Sequence, residues 1–342
     1  MTRLALAFSE SGAGSLKAAR VADRIVLASH TLVSGPVPRC AKPATFFRER
    51  AALYAADPSL KAELEDLGTR WHWRYRAGPA WRRLPATCKP FDHIDIWADA
   101  PPNSQFLLAQ TLDWLRTDAD VAERLAIVHV NEPLGGLAPD HPKVLGPAFV
   151  RVDGGALELA SRVWHAFTQP TPLACAALLA LDLDPLPQFR PALLDWLAEL
   201  PAPVTALGAT ETWMLRRIAV GGTSPFDVIR SLAGERPAGA PRVLGYWEAG
   251  SALVGLAHAA NPAIVGLPAG PFSLAMHDRE ERFERWKTST LSLTDLGRAL
   301  VRGDADWSNH NPIRRWWGGT HLTDGSVWRW DPAARNVVAP TK

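Results

Sequence analysis

Four short runs of apolar and β-branched residues constrain this chain more than any other feature. They read RLALAF (3–8), DRIVLAS (23–29), DHIDIWA (92–98) and RLAIVHV (124–130). Runs of that length, apolar at most positions, are what strands covered on both faces require. Helix-forming stretches separate them. These fall at about Ser15 to Ala22, at about Thr45–Ala56 and Pro58–Gly68, and at NSQFLLAQTLDWLR (103–116), where Asn103 or Ser104 is placed to cap. Pro36 and Pro38 keep the intervening HTLVSGPVPRC irregular. Strands alternating with helices imply right-handed crossovers and a mostly parallel sheet with helices on both faces. The expectation for residues 1–150 is an α/β, Rossmann-like domain.

The pattern then changes. Residues 151–206 read as a helical region, with GALELASRVWHAF, PLACAALLALDL and FRPALLDWLAEL as three helical runs divided by proline. Residues 207–342 begin with three helices: GATETWMLRRIAVGG (208–222), SPFDVIRSLA (224–233) and PRVLGYWEAGSALVGLAHA (241–259). Thr210 and Glu211 start the first. Ser224 caps the second, with Pro225 at its first position. STLSLTDLGRALVRGDADW supplies a strand, a capping Thr294, a helix and a stop at Gly303. Three helices followed by strand and turn predict a winged-helix-like, Trp-rich domain. WWGGTHLTDGSVWRWDP (316–332) predicts a hairpin turning at Asp324-Gly325.

Composition narrows the classes. A chain of 342 residues, 47% hydrophobic and 21% charged, has the make-up of a folded protein of more than one domain. Its longest apolar runs, such as PLACAALLAL (172–181), reach about half of the ~20 residues a membrane span needs. No basic, then apolar, then small-residue leader opens the sequence, so no membrane role and a cytoplasmic location are expected. Cys40, Cys88 and Cys175 are widely spaced with no CxxC pair, which excludes a disulfide framework or zinc knuckle; no metal is expected and no cofactor is indicated. A net charge of +2 exerts no global pull toward nucleic acid or anionic lipid. The 15 tryptophans, six of them after residue 280, point to a dense aromatic core more than to a stacking surface.

The first crossover carries the chemistry. Ligands of open parallel sheets sit beyond the carboxyl ends of the strands. A turn entering a helix there presents free N–H groups and the positive helix end. SESGAGSLK offers Gly12 and Gly14 for close backbone approach, Ser9, Ser11 and Ser15 as hydroxyl donors, and Lys17 as a charge. It matches neither GxGxxG nor GxxxxGK[ST]; a plain tight turn with Ser15 capping the helix is the alternative. The other strand ends fall at His30, Asp99 and Asn131–Glu132. Glu10, Ser11, His30, Asp99 and Glu132 are therefore expected along one edge, able to hold an acid, a base and an anion. Glu10 and His30 are the candidates for proton transfer. His129, inside AIVHV, reads as an interior residue, and His93 starts its strand at the opposite edge.

Two further segments are ambiguous. RWHWRYRAGPAWRR (70–83) interleaves five arginines with aromatics, a composition that holds nucleotide phosphates and would make a lid over the strand ends. A solvated segment anchored by its tryptophans is the alternative. The third helix of the winged-helix order offers Arg242 and Glu248 but little else polar, whereas base and phosphate contacts need Arg, Lys, Asn or Gln. DNA is thus an unfavoured partner. A packing or dimerising role, with the chain as a homo-oligomer, is the alternative.

SESGAGSL, SGPVP followed by FFRERAALY, and IDIWADAPPNSQFLLAQTLDWL together resemble the bacterial family called domain of unknown function 1835. LSLTDLGRALVRGDADW, NPIRRWWGGTHL and WRWDP look like the companion region those proteins carry. The family's first motif usually has Asp where this chain has Glu10, and its second loop often begins with Asp where this chain has His30. The resemblance implies functional interest in Ser11, Gly14, Ser34, Gly35, Pro36, Trp97 and Gln105, and it implies no reaction.

Three expectations follow. The first is a phosphate-bearing small molecule or nucleotide bound at the strand ends, with or without catalysis. The second is a ligand-responsive transcription regulator whose duplex binding would depend on Arg242 or Arg282. The third is a non-catalytic scaffold whose Trp-rich end meets a partner.

Overall fold

The computed structural model describes residues 1–28, 30–57, 78–232, 240–270 and 272–340. The expected helix at 58–68 and most of the arginine-rich segment, residues 70–77, lie outside the described residues. Contacts divide the chain into two units: one from the described residues of 1–57, 78–193 and 318–320, the other from those of 194–317 and 321–340. The helical stretch 151–206 is shared between them.

In the first unit the four apolar runs form strands β1 (Arg3–Ala7), β2 (Arg24–Leu27), β3 (His93–Asp99) and β4 (Leu125–Val130). They are parallel, and β5 (Val150–Arg151) adds an antiparallel edge that the sequence pattern did not signal. The order is β2-β1-β3-β4-β5. Val26, Leu6, Ile96 and Ile127 lie in one row across the sheet, and Leu27, Ala7, Trp97 and Val128 in the next. Because side chains alternate along a strand, these rows serve opposite faces.

Helix α1 (Glu10–Ala18) covers the Trp97 face. Its Leu16 joins Ala5, Ala7, Trp97, Val128, Val130, Leu134, Leu137 and Val144 in one cluster. Helices α2 (Pro43–Ala56), α3 (Pro102–Leu115) and α4 (Gly154–Phe167) bring together a second, aromatic cluster. Phe46 packs 5.6 Å from Trp114 and 5.7 Å from Trp164, edge to face, and Phe106 stacks on Phe167 at 3.9 Å. Aromatic pairs in such geometry gain about 0.5–1.5 kcal/mol beyond their buried area. This cluster takes up two of the 15 tryptophans, Trp114 and Trp164.

Residues read as caps do other work in α3. The helix begins at Pro102, with Pro101 as N-cap. Asn103 Oδ1 accepts the Leu32 amide at 2.7 Å, and Ser104 Oγ accepts the Asp99 amide at 3.0 Å. Both therefore tie loops to the helix.

Helix α5 (Phe189–Leu197) carries the chain into the second unit. There α6 (Ala209–Ala219), α7 (Pro225–Arg230) and α8 (Tyr246–His258) precede β6 (Ile264–Val265), α9 (Glu280–Thr288), β7 (Ser292–Leu293) and α10 (Asp295–Arg302). The capping assignments hold: Ser224 and Asp227 form a reciprocal box, Thr294 Oγ1 accepts the Gly297 amide at 3.0 Å, and Gly303 ends α10 at φ +79°. Only small antiparallel pairs of strands occur among the described residues of this unit. The C-terminal hairpins are β8 (Arg314–Trp317) with β9 (Thr320–Thr323) and β10 (Arg329–Asp331) with β11 (Asn336–Val338). The first turns at Gly318–Gly319. The expected turn at Asp324-Gly325 is also present, closing only the single antiparallel bridge Thr323–Ser326, with the Ser326 amide donating to Thr323 O at 2.7 Å. Asp324 Oδ1 accepts the Ile313 amide at 2.7 Å. No helix among the described residues is long and apolar enough to cross a membrane.

Candidate functional site

The opening motif is helix where the sequence suggested a loop. α1 starts at Glu10, so Gly12 and Gly14 lie within it. Ser9 is the N-cap: its backbone is extended at φ −142°, and its Oγ accepts the Gly12 amide at 3.2 Å. Ser15, expected to cap, donates to Leu137 O at 2.8 Å. Lys17 belongs to the last turn. At about 1.5 Å of rise per residue it sits roughly 10 Å along the axis from the helix start, too far to assist an anion there.

The notch beside this helix is partly filled. Leu134 is 2% exposed, and a β-carbon on Gly12 would meet its side chain at 2.9 Å. A β-carbon on Gly135 would meet Ser11 Cβ at 2.6 Å, so the loop after β4 lies directly against the α1 terminus. What stays exposed is a rim of Glu10, Ser11 and Gly14 with Gly135 and Gly136. The amides of Glu10 and Ser11 make no backbone hydrogen bond among the described residues, so the positive end of α1 keeps two donors.

Asp99 ends β3 next to this rim. The Leu134 amide donates to its Oδ2 at 3.0 Å. Burial raises the Asp99 pKa above the usual carboxylate range, and hydrogen bonds from Ser104 and the Leu134 amide work against that rise. Gln105, 1% exposed, donates from Nε2 to Asp99 O at 2.7 Å and to Gln188 Oε1 at 3.1 Å. Gln188 Nε2 donates on to Asn131 Oδ1 at 2.7 Å. A chain of amides, buried at Gln105 and Gln188 and exposed at Asn131, thus links the carboxyl ends of β3 and β4. Gln105 Oε1 has no partner among the described residues, an acceptor left open beside Asp99. His129, on β4, is lowered in pKa by burial, and Gln188 opposes the shift.

The other named residues divide cleanly. His30 is 1% exposed, with Nε2 2.8 Å from Gln110 Oε1 and rings of Phe46, Phe47 and Trp81 around it. Burial, and then the Arg50 charge, push its pKa down to about 3 against the Gln110 hydrogen bond. It is a neutral core histidine, and a role in proton transfer at the edge has no route. Trp97 is 2% exposed, a core residue of the sheet face under α1. Ser34 and Gly35 belong to a loop held by buried Arg50, which donates to Ser34 O at 2.8 Å and Pro36 O at 2.9 Å. Gly35 is required there: its φ is +70°, and a β-carbon would fall 1.7 Å from the Tyr54 hydroxyl. Glu132 is exposed and paired with Lys143 at 2.5 Å, which holds its carboxyl below the usual range. His93 lies at the amino end of β3, as expected.

Sequence reasoning missed Leu134, Gly135 and Gln188, and it read Asn103 only as a cap and Asn131 only as a strand end. The Gly-Gly of NEPLGGL was the one legible sign of a close backbone approach. Among the described residues no group of three His, Cys, Asp or Glu side chains is placed to hold a metal ion.

These observations define a mixed α/β protein with a five-stranded, mostly parallel sheet, flanking helices and a polar rim at the carboxyl edge of β1, β3 and β4. Compared with known families and with curated proteins, the sequence matches no family model and no curated protein.

Proposed function

We propose that the N-terminal unit binds a small phosphate-bearing molecule or nucleotide at the carboxyl edge of its sheet. The observation that carries this reading is the strand order. β1 has β2 on one side and β3 on the other, so the connections leaving β1 and β3 diverge and open a crevice at that switch point. On one wall stand the free amides of Glu10 and Ser11 with the Ser11 hydroxyl, donors suited to a phosphate. On the other stands Asp99, suited to hydroxyl or base N–H groups of the remainder, with buried Gln105 behind it donating to Asp99 O. Glu10 is the exposed carboxylate at the anion position and the candidate for proton transfer. Ser11, Gly14 and Gln105 also belong to the motifs that resemble domain of unknown function 1835, which adds to the interest of this edge.

Thermal-shift titration with inorganic phosphate, ribose 5-phosphate, ATP and NAD tests it. At least one phosphorylated compound is expected to raise the melting temperature, and Ser11→Ala is expected to reduce that rise without lowering the melting temperature of the free protein. No stabilisation by any of them, or stabilisation indifferent to Ser11, overturns the reading.

A second reading rests on the C-terminal unit. Thr223, between α6 and α7, bridges Leu291, and β6 pairs with β7 after α8. Helix, bridging residue, helix, helix, strand and strand, with α9 inserted between β6 and β7, resembles the winged-helix order and suggests a ligand-responsive regulator. The chemistry of α8 weighs against duplex binding: its most exposed positions are Ser251, Gly255 and His258, with no Arg or Lys. A mobility-shift assay at low salt without a retarded species removes this reading. Salt-dependent retardation lost in Arg242→Ala supports it.

A further inference from the structure

The C-terminal unit holds a cavity of about 240 Å³ between α6, the 198–207 segment and the β10–β11 hairpin. Its walls are almost wholly apolar, formed by Leu200, Leu207, Trp213, Trp330, Pro241 and Pro332. Both tryptophans are fixed. Trp213 Nε1 donates to Ser231 Oγ at 3.1 Å, and the Trp330 amide donates to Pro201 O at 3.0 Å. Two polar side chains of α6 reach the same space, Thr212 and Arg216. They are four residues apart and therefore share one helix face. Among the described residues neither side chain has a hydrogen-bond or ion-pair partner. Arg298, Arg302, Arg315 and Arg329 of this unit each meet a carboxylate, whereas Arg216, like Arg242 and Arg279, meets none among the described residues.

A guanidinium and a hydroxyl with no partner among the described residues, at one side of an aromatic slot, suit a ligand with an anionic end and a flat apolar body. We propose that this cavity binds a small aromatic carboxylate, its ring against Trp213 and Trp330 and its carboxylate on Arg216 and Thr212. The size agrees. A cavity of about 150 Å³ accommodates benzene, so one of about 240 Å³ has room for a ring and a short acid. The ligand therefore differs in kind from the one proposed at the strand edge. Arginine is the side chain suited to the task, because its planar fork meets both carboxylate oxygens at once.

Calorimetric titration of the full chain with benzoate, phenylacetate and indole-3-acetate, and with benzamide as the uncharged control, tests the proposal. At least one acid is expected to bind, at least tenfold more tightly than benzamide. Arg216→Met, which keeps the aliphatic stem, is expected to weaken binding about tenfold, as loss of a charge-assisted pair does. Its melting temperature should match the parent's, because Arg216 is exposed. Thr212→Val should give a smaller loss, about threefold. Ser11→Ala should leave acid binding unchanged. No binding by any acid, equal binding of benzamide, or undiminished binding by Arg216→Met each overturns the proposal.

Discussion

Glu199 Oε1 lies 2.5 Å from the Thr210 hydroxyl, and the same carboxyl group accepts the Thr210 amide at the amino end of α6. Burial raises its pKa to about 7. Hydrogen bonding from Thr210 opposes the rise, the Glu211 charge adds to it, and Arg315 opposes it. A carboxyl of this kind in an unfolded chain titrates near about 4.3. The folded state therefore holds the extra proton between those values, and stability from this group is full below about pH 4 and lost as pH rises through about 7. The loss amounts to at most about 4 kcal/mol. Glu199→Gln should cancel this slope. Urea unfolding between about pH 5 and pH 8 is expected to show the variant gaining on the parent as pH rises; parallel profiles would contradict the assignment.

His30 has the opposite sign. Its folded pKa of about 3 lies below the value of about 6.5 for an unfolded histidine, so the unfolded state binds the proton first. Stability from neutral His30 is complete above about pH 6.5 and falls with acid, by roughly 2 kcal/mol at pH 5. His30→Gln, which cannot take up that proton, should be less stable at neutral pH yet lose less on moving to pH 5. A variant as acid-sensitive as the parent would count against a buried neutral imidazole.

Two glycines of α1, two residues apart and so on opposite sides of the helix, should answer oppositely to alanine. A β-carbon on Gly12 meets Leu134 at 2.9 Å and Ser9 Oγ at 2.7 Å, so Gly12→Ala crowds the core and strains the cap. The expected cost is about 1–2 kcal/mol, after a helix-propensity gain of up to about 1 kcal/mol. Gly14 has nothing within 4 Å of the same position. Gly14→Ala should stabilise by about 0.5–1 kcal/mol. Denaturant midpoints at constant slope report both.

The three cysteines should be silent in the native state. Burial raises the Cys88 and Cys175 thiols, and at Cys40 burial is reinforced by a hydrogen bond to Glu49; Cys40 and Cys88 reach about 12. Thiolate is the reactive form, so almost none is present near pH 8. Dithionitrobenzoate is expected to titrate no thiol rapidly in the folded chain and all 3 after denaturation. A fast-reacting thiol in the native protein would show that one of them is open to solvent.

The strands were legible in the sequence because each is a local run of apolar residues, and the caps at Ser224 and Thr294 because the cap and its helix are adjacent. α1 was misjudged for a local reason as well: two glycines and three serines read as a turn, yet packing against Leu134 and capping by Ser9 sustain a helix through them. The Asp324-Gly325 turn was legible because its residues are adjacent, but it closes only the Thr323–Ser326 bridge, and the longer β8–β9 pairing turns at a second turn-like pair, Gly318–Gly319. Asp99, Ser11 and Glu10 do reach the expected edge. His30 follows its strand end in sequence, but its ring folds inward among aromatics contributed by α2 and the Trp81 segment.

By itself the sequence determined that this chain alternates strand and helix before turning helical, and where most elements begin and stop, since backbone propensity and periodicity act over a few residues. Tertiary structure alone decided the order β2-β1-β3-β4-β5, the filling of the first crossover by Leu134, and the chain of amides from Gln105 to Gln188 and Asn131. Gln105 and Gln188 stand 83 positions apart, and no local pattern records that two amides will share one hydrogen bond in a buried space. Burial makes that pairing obligatory, because an amide removed from water must find its partner within the fold.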